Sequence, residues 1–503
     1  MKERRLPIGV LAIVPVVIGM GVYAFTGQAQ VEDPAVPAAQ TAQAATQTAE
    51  AAPTWFPDSP PQFAPAPEPT PAPQPTPQTS HGVFHDGAWV RINAGAGDCL
   101  NARNSPSLQQ EWVIVNICLP DGFEGLISGY TQEADGHWWW HLAGLGWVAE
   151  DYLTYVREFD VRANIVPELA GQGRVAFLRG NDIWLMNADG SAQTLLVDNE
   201  DNDPNSGQWT PRPSNLIWSP SGNQLSYNLV KSGVEHYGVD LHVLTLTADG
   251  VTDQMFPDLS GGGWSPDGAR IAVVREPNFD GMGGGVEGVP AILEVATGAQ
   301  LVLGSERFWQ QKAPEFNFDG SLLMVNYAKY EAETSTVAIL IYDAYGVEAQ
   351  RIVMAQGTGY ASPRWSPVEN RIAMHFQDQA GSGYAVYDLA SSGFVARSET
   401  PKVSERIGGR CGGGDMWETE WSRDGQRVLY SFTSGDTGAN GVWSWDIATG
   451  ERRVIVAANA GSASSGAGTS VMFSAGHIFI GSSDGGLPRI VTDGAQPAWF
   501  VGS

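Results

Sequence analysis

Hydrophobic and polar positions alternate in short runs along most of this chain, and one signature precedes run after run. Trp218-Ser219-Pro220-Ser221-Gly222 stands ahead of Leu225-Ser226-Tyr227, and Trp264-Ser265-Pro266-Asp267-Gly268 ahead of Ile271-Ala272-Val273-Val274. The signature returns as Phe316-Asn317-Phe318-Asp319-Gly320, as Trp365-Ser366-Pro367-Val368-Glu369 and as Trp421-Ser422-Arg423-Asp424-Gly425. Alternation with a period of two marks a half-buried strand, and Ser-Pro-Asp-Gly is turn chemistry. Each copy therefore predicts a strand ended by an aromatic, a tight turn and a second strand. A further apolar strand closes on Asp-Gly or Thr-Gly, as in Ile183-Trp184-Leu185-Met186-Asn187-Ala188-Asp189-Gly190 and Val442-Trp443-Ser444-Trp445-Asp446-Ile447-Ala448-Thr449-Gly450.

The copies lie roughly 46 to 56 residues apart, the period of propeller blades. The expected fold class is all-β, with a β-propeller over 171–503. Apolar strands starting near residues 174, 224, 270, 321, 371, 427 and 470 predict seven blades. Six is the alternative, because Thr469–Phe473 and His477–Ile480 lack a Trp-Ser-Pro strand ahead of them. The region begins mid-unit at Arg174-Val175-Ala176-Phe177 and ends on Gln496-Pro497-Ala498-Trp499-Phe500, the strand missing from that first unit. The last strand is thus expected to complete the first blade and remove an exposed sheet edge. These repeats resemble the TolB-like propeller repeat, which is related to WD-type propellers. The resemblance implies the fold and leaves the task open.

Ahead of the repeats the pattern changes. Lys2, Arg4 and Arg5 precede an uncharged stretch from Leu6 to Phe25, and no Lys or Arg follows until Arg91. That stretch can span a bilayer as a helix. Residues 1–27 are expected to be a cytoplasmic stub and transmembrane signal anchor, with the bulk of the chain outside the cell membrane. The alternative is secretion after signal cleavage near Gly27-Gln28-Ala29. Residues 28–80, rich in Ala, Pro and Gln, cannot bury a core and read as a disordered spacer.

Residues 81–157 are aromatic-rich, and 158–170 form a linker. Gly97-Asp98-Cys99-Leu100-Asn101-Ala102-Arg103, Cys118-Leu119-Pro120-Asp121-Gly122, Gly136-His137-Trp138-Trp139-Trp140-His141-Leu142 and Gly146-Trp147-Val148-Ala149 resemble the bacterial SH3 domain family. That resemblance implies a small, bent antiparallel barrel binding peptides or cell-wall material. Alternation equally lets Trp138, Trp140 and Trp147 be core. Cys99 and Cys118 share this small domain, and in an exported chain they are expected to form a disulfide, leaving Cys411 over.

The chain of 503 residues carries a formal net charge of −27, which argues against a nucleic-acid partner and against anionic lipid surfaces. The loops opposite the Trp-Ser-Pro turns are long and varied, and rigid scaffolds place recognition on such loops. Trp209, Tyr237, Arg307, Trp309, Lys312, Tyr330, Tyr360, Arg406 and Arg410 are the binding-face candidates, since aromatics with arginine make interface and sugar contacts. Asp201, Asp203 and Asn205 alternate like the start of a calcium loop, but Gly207 falls one place late and no bidentate Glu follows. Calcium is thus a weak expectation, and no other cofactor is expected. No Gly-x-Ser-x-Gly run stands at a strand-to-helix elbow and there is no His-Glu-x-x-His pair, so no enzyme is expected. The reading is a membrane-anchored extracytoplasmic binding or scaffold protein, its loop face recognising protein, peptide or glycan. The alternative is an exported propeller hydrolase or lyase using acidic channel residues.

Overall fold

A computed structural model describes residues 83–501 apart from 104, 109–114, 200–210, 233–236, 279–285, 305–306, 311–312, 331–334, 354–358, 379–380, 400–418, 433–440, 457–462 and 485–486. The expected membrane helix and spacer lie outside the described residues. Among the described residues no helix is long and apolar enough to cross a membrane.

The repeats fold into a seven-bladed propeller. The strands that end in the motif aromatic are Arg212–Trp218, Leu259–Trp264, Glu315–Phe316, Gly359–Trp365 and Thr419–Trp421, and each is the first strand of its blade. Ala463–Ser465 takes that place in the seventh blade and the C-terminal strand Ala495–Phe500 in the first. Ala495–Phe500 pairs antiparallel with Arg174–Arg179, setting Trp499 opposite Val175. The seven first strands touch their neighbours in one unbroken circle. The degenerate seventh unit is therefore a full blade.

Each motif residue has a physical task. Ser265 Oγ accepts the Arg270 backbone N–H at 2.9 Å, and Asp267 Oδ1 accepts that of Ala269 at 3.0 Å. Ser422 and Asp424 do the same for Arg427 and Gln426. The turn glycine Gly268 has φ +71°, and Gly425 has φ +69°, a region that other residues enter at a cost. The aromatic reaches across the seam between blades. Trp264 Nε1 donates to the Ile217 carbonyl at 3.2 Å, Trp365 Nε1 to that of Glu315 at 3.0 Å, and Trp421 Nε1 to that of Arg364 at 3.0 Å. Trp218 Nε1 likewise donates to the Ala498 carbonyl at 2.9 Å. In every case the acceptor is the residue just before the aromatic of the preceding blade.

Phe316 has no indole to donate across the seam between the third and fourth blades. A short strand, Phe308–Gln310, spans that seam instead, pairing with Val286–Glu294 of the third blade and Leu322–Tyr330 of the fourth. The two blades become one continuous sheet. Apolar clusters fill the seams, with Phe316, Leu323 and Leu340 packed on Ala272 and Ile292.

The small domain is a seven-stranded antiparallel sheet. Its strands are β1 (Ala88–Ile92), β2 (Cys99–Arg103), β3 (Val115–Pro120), β4 (Glu124–Ala134), β5 (His137–Leu142), β6 (Gly146–Ala149) and β7 (Leu153–Glu158), in the order β3-β2-β6-β5-β4-β1-β7. Cys99 and Cys118 are joined by a disulfide between β2 and β3, with Cα atoms 5.4 Å apart. Trp139, Trp140 and Trp147 are buried and Trp138 is half-buried. Trp140 lies in the domain core, while Trp139 packs with Trp147 and Ala149 in a second cluster.

This domain is docked on the seventh blade. Leu126 and Ala143 share an apolar cluster with Phe473, Phe479 and Ile490. At Gly144, φ is +70° and a Cβ would come within 2.7 Å of the Phe479 ring, so only glycine suits the contact. The linker is stitched down as well. Asn164 Nδ2 donates to the Ile490 carbonyl at 2.6 Å, and Arg162 reaches Asp493 at 3.0 Å. Asp493 also pairs with Arg179 at 2.6 Å, and both guanidinium groups hold its carboxyl below the usual range against the opposing effect of burial.

The seam between the fifth and sixth blades buries His375, Tyr384, Tyr430 and Thr419. Tyr384 stacks on Tyr430 with centroids 4.0 Å apart, and His375 meets Tyr384 edge-on. Burial pushes the His375 imidazole down to about 4 and the Tyr430 phenol up to about 12.

Two outcomes follow from this packing. Trp499→Ala should cost about 3–5 kcal/mol of unfolding free energy, whereas Trp421→Phe, which loses an indole donor and some volume, should cost about 1–2 kcal/mol. Denaturant midpoints measure both. His375 is neutral when folded and free to take a proton when unfolded, at its ordinary 6.5. Its contribution is complete above that value and is lost as pH falls toward 4, about 3 kcal/mol in all. The unfolding midpoint should already drop between about pH 6.5 and 5, above the carboxylate range, and His375→Gln should flatten that drop.

Candidate functional site

The loop-face candidates separate into three groups. Trp209, Lys312, Arg406 and Arg410 lie outside the described residues, as do Asp201, Asp203, Asn205 and Cys411. Tyr237, Trp309, Tyr330 and Tyr360 lie on strands rather than in loops. The reason is strand length: Tyr237–Thr247 and Leu322–Tyr330 run on past the alternating core of their repeats. Arg307 is committed locally. It pairs with Glu276 at 3.1 Å and donates to the carbonyls of Glu276 and Glu287, which ties down the strand ends of the third blade. Among the described residues no group of three His, Cys, Asp or Glu side chains could hold a metal ion.

A charged belt at the ring's centre holds none of the residues expected from the sequence. The position just before each motif aromatic is Ala498, Ile217, Gly263, Glu315, Arg364 and Glu420 in the first six blades, and Ser464 in the seventh. Arg364, on the fifth blade, reaches both neighbours. Its guanidinium lies 3.0 Å from Glu315 of the fourth blade and 3.5 Å from Glu420 of the sixth. Its Nε donates to the Thr419 carbonyl at 3.3 Å. One side chain can touch the first strands of both adjacent blades only where those strands converge, at the axis. The three side chains are 20–31% exposed, so solvent reaches them there.

Strand geometry positions the belt. Gly359–Trp365 has a bulge between Ala361 and Arg364, with Ser362 at φ +49°. A bulge re-aims the side chains beside it. Asn215 and Gln496 occupy the matching place in the second and first blades, at φ +55° and +48°. Glu315 Oε2 also accepts the Trp365 backbone N–H at 3.4 Å, and Glu420 Oε1 that of Trp421 at 3.1 Å. The belt thus carries two carboxylates and one guanidinium, and the uncharged Ala498, Ile217 and Gly263 occupy the opposite sector. Such a wall can hold a ligand bearing positive charge, with polar hydrogen bonding from the bulged strands. Aligning the repeats on their aromatics exposes the run Glu, Arg, Glu at one column, which is the signal that could have found it.

A second concavity lies between the small domain and the seventh blade. It measures about 320 Å³ and is lined by Trp89, Phe123, Leu126, Ile165, Phe479 and Pro488, with Glu124 and Arg489 at its polar part. Glu124 is already engaged, accepting from Trp89 Nε1 at 2.7 Å and pairing with Arg91. Those donors hold its carboxyl below the usual range, Arg91 first.

The chain matches no family model and no curated protein. Among solved structures it is similar to the acylaminoacyl peptidase of Pyrococcus horikoshii, at 15% identity and a TM-score of 0.40 over 56% of this chain and 46% of that one. It is similar to prolyl endopeptidases at 13% identity and a TM-score of 0.41, over 68% of this chain and 52% of theirs. It is also similar to an oligogalacturonate lyase in complex with manganese, at 10% identity and a TM-score of 0.41, over 60% and 82%. The chain thus spans about half the length of the peptidases it matches. At these identities the likeness is one of fold, the propeller. The expectation that the chain is no enzyme is withdrawn, since the structures it is similar to are named as peptidases and a lyase.

Proposed function

We propose that this protein engages a positively charged ligand at the axis of its propeller, through Glu315, Arg364 and Glu420. The observation that carries the reading is the single Arg364 guanidinium bound from both sides by carboxylates of adjacent blades. The local charge is net negative, in a chain whose formal charge is −27. A cationic protein, peptide or glycan is favoured there by simple electrostatics. Hydrolase or lyase chemistry at the same place is the second reading. Two carboxylates within reach of one guanidinium are close enough to act on one bound ligand, one as acid and one as base.

The surrounding reading follows from the sequence. The N-terminal segment anchors the chain in the cell membrane with the propeller outside, the repeats are of the TolB-like kind, and the small domain is an SH3-like module associated with the cell wall.

Calorimetry on the full chain tests the axial reading, with a tetralysine peptide and an amino-sugar tetramer as probes. Binding should weaken with salt, and Glu315→Gln with Glu420→Gln should reduce it roughly tenfold or more. Equal binding of uncharged analogues would sink the axial reading. Release of shorter products during incubation, abolished in the same double variant, would identify the hydrolase or lyase.

A further inference from the structure

Two residues beyond Met324, the strand partner of Glu315, stands a buried amide whose counterpart elsewhere in the ring is fully used. Three residues beyond the strand position facing the motif aromatic stand Asn228 in the second blade and Asn326 in the fourth, counted from Leu225 opposite Trp218 and Leu323 opposite Phe316. Asn228 points at the next blade's first strand. Its Oδ1 accepts the Gly261 N–H at 2.7 Å, and its Nδ2 donates to Ser260 Oγ at 3.2 Å and to the Gly261 carbonyl at 3.4 Å. The residue matching Gly261 in the fifth blade is Ser362, also three before the motif tryptophan. Ser362 has left-handed backbone, which Gly261 does not, so the peptide that would meet Asn326 is turned differently.

Asn326 is only 4% exposed, and its Nδ2 has no hydrogen-bond partner among the described residues. It lies opposite Ile339 on the strand pair, on the face that Met324, Ile339 and Ile341 pack against Trp365, Ile372 and Met374 of the fifth blade. Met324 pairs with Glu315, which binds Arg364 of the fifth blade. On the other side of Arg364, Thr419 is 1% exposed and its Oγ1 is also without a partner among the described residues. Burying an unpartnered donor costs stability unless something completes it.

We infer that Asn326 and Thr419 complete the axial site, and that its ligand is a peptide with a basic group. The basic group meets Glu315 and Glu420, a backbone carbonyl accepts from Asn326 Nδ2, and Thr419 Oγ1 takes a neighbouring amide N–H. This rests on the axial reading and narrows it to one ligand class. A neutral ligand leaves the belt unused, and a bare amine leaves the amide unused.

Full-length Asn326→Leu keeps the branched shape and removes the amide. Its affinity for a Lys-Ala-Lys-Ala peptide amide should fall roughly tenfold, while its unfolding midpoint stays level or rises, because an uncompensated polar group has gone. Asn326→Ala serves the same purpose if the leucine variant does not fold. Asn228→Leu should do the reverse, lowering the midpoint and leaving affinity unchanged. Wild-type affinity in Asn326→Leu, with affinity lost in the Glu315→Gln and Glu420→Gln double variant, would overturn this inference alone and assign the amide to a trapped water. Unchanged affinity in all of these variants would remove the axial reading too.

Discussion

The interaction on which this molecule depends is the indole N–H that, at four of the seven seams, crosses to a main-chain carbonyl of the preceding blade. A blade by itself is a four-stranded sheet with two faces to cover. The aromatic covers part of one face and its donor fixes the height at which neighbouring blades meet. At these four seams the acceptor lies one residue before the previous aromatic, which sets those first strands in step. Only because of that common height do residues at one repeat position meet around the axis, and the Glu315–Arg364–Glu420 belt is such a meeting.

The ring tolerates three departures from this rule, the mildest at Trp499, whose indole donates to the Gln172 carbonyl at 2.9 Å instead. Phe316 cannot donate, and a strand from the intervening connection is drawn across the seam. The seventh blade has Ser465 where the aromatic belongs, and there Trp499 packs over Gly466, whose missing side chain leaves space for the indole. The small domain covers the same blade with Leu126 and Ala143. Backbone pairing and domain docking thus stand in where a side chain is absent.

Much of this architecture was legible in the sequence because it rests on local chemistry. Turn residues, strand alternation and the split first blade are all visible without neighbours, and the register of Trp499 with Val175 follows from them. The belt was harder to see. Glu315, Arg364 and Glu420 are ordinary charged residues, and their meaning arises only when three distant segments share one height at the axis. Tyr237 and Tyr330, expected in loops, lie at long strand ends, where a strand continues beyond its alternating core. The orphan amide of Asn326 was beyond reach for another reason: the difference from Asn228 lies in the backbone of the next blade, not in either asparagine.

Asp493 has a consequence for mechanics. This one carboxylate holds Arg162 of the linker and Arg179 of the first blade while belonging to the seventh. Tension entering through the small domain is therefore not absorbed by a swinging hinge. It arrives at the junction where the chain's own tail zips the circle shut, so a tug on the module and the fastening of the ring are felt by the same few atoms.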